Sequence, residues 1–167
     1  MIASPGGCWK PKAWCALPEK LPERIRLEIQ EVDTLLHEYG NLLAKVRHSR
    51  PDLVETTALA SVLHSYYTGL EKIFLHIART LDPIIPDGPE WHRELLDQMG
   101  LVLPGRSAVI SSKAAEKLDE YLAFRHFYRH GYSFTLDWEK LEGLVAALPG
   151  VWAEVKSELE RFLEDRT

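Results

Sequence analysis

The 167-residue chain carries a formal net charge of −5 near neutral pH, with 46% hydrophobic and 27% charged residues. That length is enough to bury a core without disulfide or metal staples, and no apolar run approaches the roughly 20 residues of a membrane span, so neither a disordered chain nor a membrane-spanning one is expected. The acidic balance excludes a globally basic nucleic-acid binder, and any RNA contact has to be made by a local patch.

Residues 1–20 read as a tail and 21–167 as the folded domain. The tail mixes Pro5, Gly6, Gly7 and Pro11 with Trp9 and Trp14, without the pattern of a secretory signal. Trp9 and Trp14 are costly to leave in water and are candidates for packing on the domain or on a second subunit. Cys8 and Cys15 match neither a disulfide framework nor a metal-ligand spacing and read as free thiols in a reducing cytosol.

From Pro22 onward Ile25, Ile29, Val32, Leu36, Tyr39, Leu43 and Val46 step by three or four, which predicts one long amphipathic helix ending at Pro51. Leu59, Leu63, Tyr66, Leu70, Ile73, Ile77 and Leu81 repeat the spacing up to Pro83, giving a second long helix antiparallel to the first. The Pro-rich stretch from Asp82 to Pro89 is a loop, Glu90 to Met99 a short helix closed by Gly100, and Pro104-Gly105 another loop. Ser111 or Ser112 can cap a helix that stops near Gly131, and Asp137 a last one from Trp138 to Phe162, with a kink or break at Pro149-Gly150. No segment reads as a strand, so the expected fold is an all-α bundle with two long antiparallel helices plus shorter ones.

The segment Phe124-Arg125-His126-Phe127-Tyr128-Arg129-His130-Gly131-Tyr132 holds two arginines, two histidines and two tyrosines but no acid. On a helix, Arg125 and Arg129 fall one turn apart, as do His126 and His130, which predicts paired cations facing an anionic ligand. Arginine offers a permanently charged planar fork to phosphate oxygens, and histidine can take and give a proton near neutrality. Together they suffice for RNA cleavage without metal: a base deprotonates the ribose 2′-hydroxyl, an acid protonates the leaving oxygen, and a cation steadies the phosphorane.

The spacing Arg125, four residues, His130, Gly131, Tyr132 resembles the R-x-x-x-x-H-x-Y motif of HepT toxins in the HEPN superfamily. The long-helix pair, the Pro-rich loop leading to Trp91-His92 and Leu95-Leu96, and the Phe124-Arg125-His126 block extend the resemblance over about Leu21 to Leu163. It implies a HEPN-type bundle acting as a homodimer, with Arg125 and His130 of each subunit in a shared cleft as catalytic residues for metal-independent cleavage of RNA, and no cofactor. It also implies a partner, a minimal nucleotidyltransferase antitoxin that silences the toxin by AMPylation of Tyr132. His126, an accepted polar residue after the motif arginine, is a candidate to orient Arg125 or touch RNA.

Other readings stand beside these. Arg129 is equally a phosphate contact or a solvated cation favoured by the helix C-terminal dipole. Phe127 and Tyr128 are expected in the core or a dimer contact, and His64, His76 and His92 are expected to be structural, lacking the companions of a metal site. Glu71 is expected to face solvent, with orientation of His130 or Arg125 as the alternative. Glu28 and Glu31 begin the pattern of an all-α nucleotide pyrophosphohydrolase, but the nearest acidic partners, Glu116 and Asp119, fall in the arginine-bearing helix. The non-enzymatic alternative is a HEPN module that binds nucleotides or a partner without cutting RNA.

Overall fold

A computed structural model describes residues 21–131 and 136–165 of the chain. The tail with Cys8, Cys15, Trp9 and Trp14, and the motif tyrosine Tyr132, lie outside the described residues. Among these residues there are six helices and no strand: α1 (Leu21–Glu38), α2 (Gly40–Lys45), α3 (Leu53–Leu81), α4 (Trp91–Met99), α5 (Ser112–His130) and α6 (Trp138–Glu164). None is long and apolar enough to cross a membrane.

Helix α3 is the axis of the bundle and packs against every other helix. Its length and apolar density explain this: Leu59, Leu63, Tyr66, Leu70, Ile73 and Ile77 are wholly buried, and Tyr67, Phe74 and Ala78 widen the buried stripe around most of the cylinder. A capping box starts the helix, with the Asp52 carboxylate accepting from the Glu55 amide at 2.8 Å and the Glu55 carboxylate accepting from the Asp52 amide at 3.2 Å. Helix α1 lays Ile25, Ile29 and Val32 along it. Glu28 faces Lys72, while Val32 would meet a side-chain carbon at Gly69 at 2.9 Å, so ascending positions on α1 oppose descending ones on α3. The predicted antiparallel pair is therefore present, and the Val32 side chain occupies the space that a larger residue at Gly69 would need.

Two boundaries differ from expectation. The first long helix is interrupted at Tyr39, whose backbone sits at φ −92°, ψ 6°, just before Gly40, a residue that weakens helix by about 1 kcal/mol. It then ends at Lys45 rather than Pro51, because the carbonyls of Ala44 and Lys45 are taken by the amides of Arg47, His48 and Ser49 in tight turns. Conversely, α6 runs unbroken through Pro149. Proline removes one helical hydrogen bond, but buried Val145, Leu148, Val151 and Trp152 pin both sides of it to the core. Asp33 fastens α6 to α1, accepting from Trp152 Nε1 at 2.8 Å and Lys156 Nζ at 2.7 Å.

The loops flanking α4 are clasped by a fully buried ion pair. Arg106 reaches Asp82 through Nε and through Nη2 at 2.8 Å, and its remaining N–H groups donate to the carbonyls of Gln98, Leu101 and Ser107 at 2.9, 3.0 and 3.2 Å. All five guanidinium hydrogens are thereby used. The tight turn that delivers Arg106 is closed by reciprocal Leu103–Arg106 backbone bonds, with Gly105 at φ 96°, a conformation a side chain would resist. The clasp fixes α4 against α3 and α5, and α4 carries His92.

Candidate active site at the end of helix α5

Ser111 caps α5 through a bond from the Ala114 amide, and the helix buries Ala114, Leu118, Tyr121, Leu122 and Phe124. Arg125 is the last residue of α5 classed as buried, at 6% exposure; His126, Phe127, Arg129 and His130 beyond it are exposed. The arginine thus sits where α5 passes from core to surface.

Its guanidinium turns inward. Nη2 donates to Glu71 Oε1 of α3 at 2.9 Å, and Nη1 lies 3.4 Å from both ring nitrogens of His92 on α4. The other Glu71 oxygen is bonded to His92 Nδ1. A carboxylate only accepts, so Nδ1 of His92 carries the hydrogen. Burial holds the His92 imidazole below its ordinary titration range, assisted by Arg125 and His126 and opposed by the bond to Glu71. His92 is therefore neutral at neutral pH, and the cluster is one anion, one cation and one dipole, with its charges compensated. The His92 ring is stacked on Trp91 at 3.6 Å between centroids and met edge-on by His126 at 5.3 Å. Arg125 Nε is buried and has no partner among the described residues.

Beside this cluster, His64 of α3 packs on Tyr128 with ring centroids 5.0 Å apart, and its Nδ1 is likewise buried without a partner among the described residues. Burial lowers its pKa, and the charges of Arg125 and Arg129 lower it further. Tyr67 lies under the cluster, and burial, then Glu71, raises its phenol well above the ordinary range.

Several expectations are corrected. Glu71 does not face solvent; it is 7% exposed and joins Arg125 to His92. The sequence could show only that it lay among apolar residues, because the rotation of α3 depends on partners far along the chain. His92, expected to be structural, is bonded to the Glu71 carboxylate and lies against the Arg125 guanidinium. Arg125 and Arg129 do not stack, because Glu71 draws the first inward and the second stays in solvent. Phe127 is 50% exposed and outside the core, whereas Tyr128 is partly buried against it. Two carboxylates of the discounted pyrophosphohydrolase pattern are engaged elsewhere, Glu28 with Lys72 at 3.6 Å and Asp119 with Arg93 at 2.8 Å. His126, Arg129 and His130 share the exposed end of α5, within roughly a third of the helix circumference at about 100° per residue.

The family model of HepT-like proteins matches residues 58–166, and the chain belongs to that family. The matched span contains Glu71, His92, Arg125 and His130. No curated protein and no solved structure matches the chain.

Proposed function

We propose that this chain is the toxin of a toxin-antitoxin pair, a metal-independent ribonuclease of the HEPN type whose working unit is residues 21–167. The observation that carries the reading is the placement of Arg125, a buried guanidinium held at the core boundary of α5, five residues before an exposed histidine at the helix end. Five residues on a helix span about 7.5 Å and about 140° of rotation, so Arg125 and His130 of one chain point to different sides. A two-fold pairing of α5 ends supplies what one chain lacks, with the arginine of each subunit facing the histidine of the other.

In that cleft His130 takes the proton of a ribose 2′-hydroxyl, whose oxygen attacks the adjacent phosphorus. The bond from phosphorus to the 5′-oxygen breaks, and that oxygen receives a proton from the second histidine or from water. Arg125 balances charge on the pentacoordinate phosphorus, and the products are a 2′,3′-cyclic phosphate and a 5′-hydroxyl. Arg129 and His126 meet neighbouring phosphates. A minimal nucleotidyltransferase antitoxin shuts the site by AMPylation: the Tyr132 phenol oxygen attacks the α-phosphorus of ATP and pyrophosphate departs. The added phosphodiester competes with RNA for the same cations. All of this takes place in the cytosol.

One observation favours a second reading. Glu71 already compensates the charge of Arg125, as suits a HEPN module that holds a nucleotide or partner without cutting. One assay separates the two. Purified protein incubated with RNA in EDTA is expected to release fragments ending in 2′,3′-cyclic phosphate, and His130→Ala to abolish them while melting temperature and dimer mass stay unchanged. Absence of cleavage by the wild type favours the binding module; undiminished cleavage by the variant removes His130 from the mechanism.

A further inference from the structure

We propose that Glu71 and His92 are positioning residues for Arg125, a two-residue brace that fixes which edge of the guanidinium faces the substrate. The functional half of this inference rests on the ribonuclease reading above; the structural half does not.

A guanidinium has five hydrogens in one plane, and its use on a phosphorane depends on which of them are already committed. Here the commitment is one-sided. Nη2 is bound to Glu71 and Nη1 lies against the His92 ring, whereas Nε is buried without a partner among the described residues. A buried unsatisfied donor is costly, so its presence in an otherwise paired cluster marks a direction in which a ligand acceptor belongs. Glu71 alone could swing about its single contact with Arg125. His92 prevents this: it holds the second carboxylate oxygen through Nδ1, and its own ring is gripped by Trp91 and His126. The brace spans three helices, since Glu71 belongs to α3, His92 to α4 and Arg125 to α5. The plane of the fork is therefore set by the tertiary fold and not by α5.

Two substitutions at His92 separate positioning from mere packing. His92→Phe keeps an aromatic ring for Trp91 but deletes the N–H that Glu71 accepts. His92→Asn loses the ring but keeps an N–H close to where Nδ1 lies. If the brace positions Arg125, His92→Phe is expected to lower kcat for RNA cleavage about 10- to 100-fold with KM within about threefold, since a misplacement of about 1 Å can cost a factor of 100. His92→Asn is expected to retain most of the activity, Glu71→Gln to resemble His92→Phe, and Glu71→Asp to recover part of the loss. A packing role predicts the opposite order, with His92→Phe near wild type and His92→Asn impaired.

The second measurement needs no activity. In the full-length protein labelled with ¹⁵N, solvent exchange of the Arg125 Nε hydrogen is expected to be slow in wild type and His92→Asn, and at least tenfold faster in His92→Phe and Glu71→Gln. Equal exchange rates in all four proteins, or the packing order of activities, overturns the brace. A wild type that cuts no RNA but shows the predicted exchange pattern overturns only the ribonuclease reading.

Discussion

Replacing Arg106 by methionine tests the clasp that positions α4. Arg106 and Asp82 are both at 0% side-chain exposure, and the arginine satisfies three backbone carbonyls besides the carboxylate. Arg106→Met leaves Asp82 with only the Gln98 amide as a side-chain partner among the described residues and strips the carbonyls of Leu101 and Ser107 of their guanidinium donor, while the Gln98 carbonyl keeps the Leu101 amide. Removing one partner of a buried pair typically costs about 3–5 kcal/mol, because the other charge stays buried and uncompensated. For a chain of this size each kcal/mol lowers Tm by about 2–4 °C, so a drop of about 6–20 °C is expected in a calorimetric or circular-dichroism melt. Asp82→Asn should fall in the same range, since it leaves the guanidinium unneutralised. The double variant should lose much less than the sum of the two, as expected for residues that share one interaction. A drop below about 2 °C for Arg106→Met, or strictly additive losses, would refute the assignment of the loop clasp to this pair.

Acid should destabilise the fold from near neutrality downward. Burial is the largest influence on His64, His76 and His92 and lowers each below the ordinary 6.5. The unfolded chain then binds more protons than the folded one once pH falls past that value, so this stability is complete above it and is lost as pH falls through the folded pKa values. Tm is expected to decline between about pH 7.5 and about pH 5.5, less steeply in His92→Asn, and a flat or rising profile would contradict the sign. On the proposed silencing step, incubation with ATP and the cognate nucleotidyltransferase should add one or more AMP masses at Tyr132; intact and peptide mass spectrometry that finds none, or places them elsewhere, removes that step without touching the nuclease chemistry.

The fold was legible where periodicity and stop signals agreed. Apolar residues stepping by three and four located α3, α5 and α6; Ser111 and Asp137 marked starts, and Gly100 and Gly131 marked ends. Where a single local signal was trusted, tertiary context overrode it. Pro149 did not break α6 because the core grips both sides, and Tyr39-Gly40 interrupted a pattern that read as continuous. The capping box Asp52-x-x-Glu55 starts α3 at Leu53, more than a turn before the first apolar step at Leu59. At the site the sequence offered Arg125 and His130 through their spacing. It offered Glu71 only as the second choice, beside a solvent-facing carboxylate, and read His92 as structural, because the contacts of both with Arg125 cross 54 and 33 positions and neither lies in a cluster of unusual composition.

Compensation of Arg125 by Glu71 also decides where attraction for a polyanion originates. A compensated pair at the core boundary projects little field, and the chain as a whole is acidic. On the proposed reading, long-range attraction then comes from Arg129, exposed at the end of α5. On the proposed ribonuclease reading, Arg125 acts only once a phosphate is within hydrogen-bonding distance, through direction rather than net charge. That division predicts that Arg125→Lys loses cleavage. A lysine ammonium could satisfy Glu71, but it has no second edge to turn toward a ligand while that contact is kept, whereas the planar fork can be held on one side and used on the other.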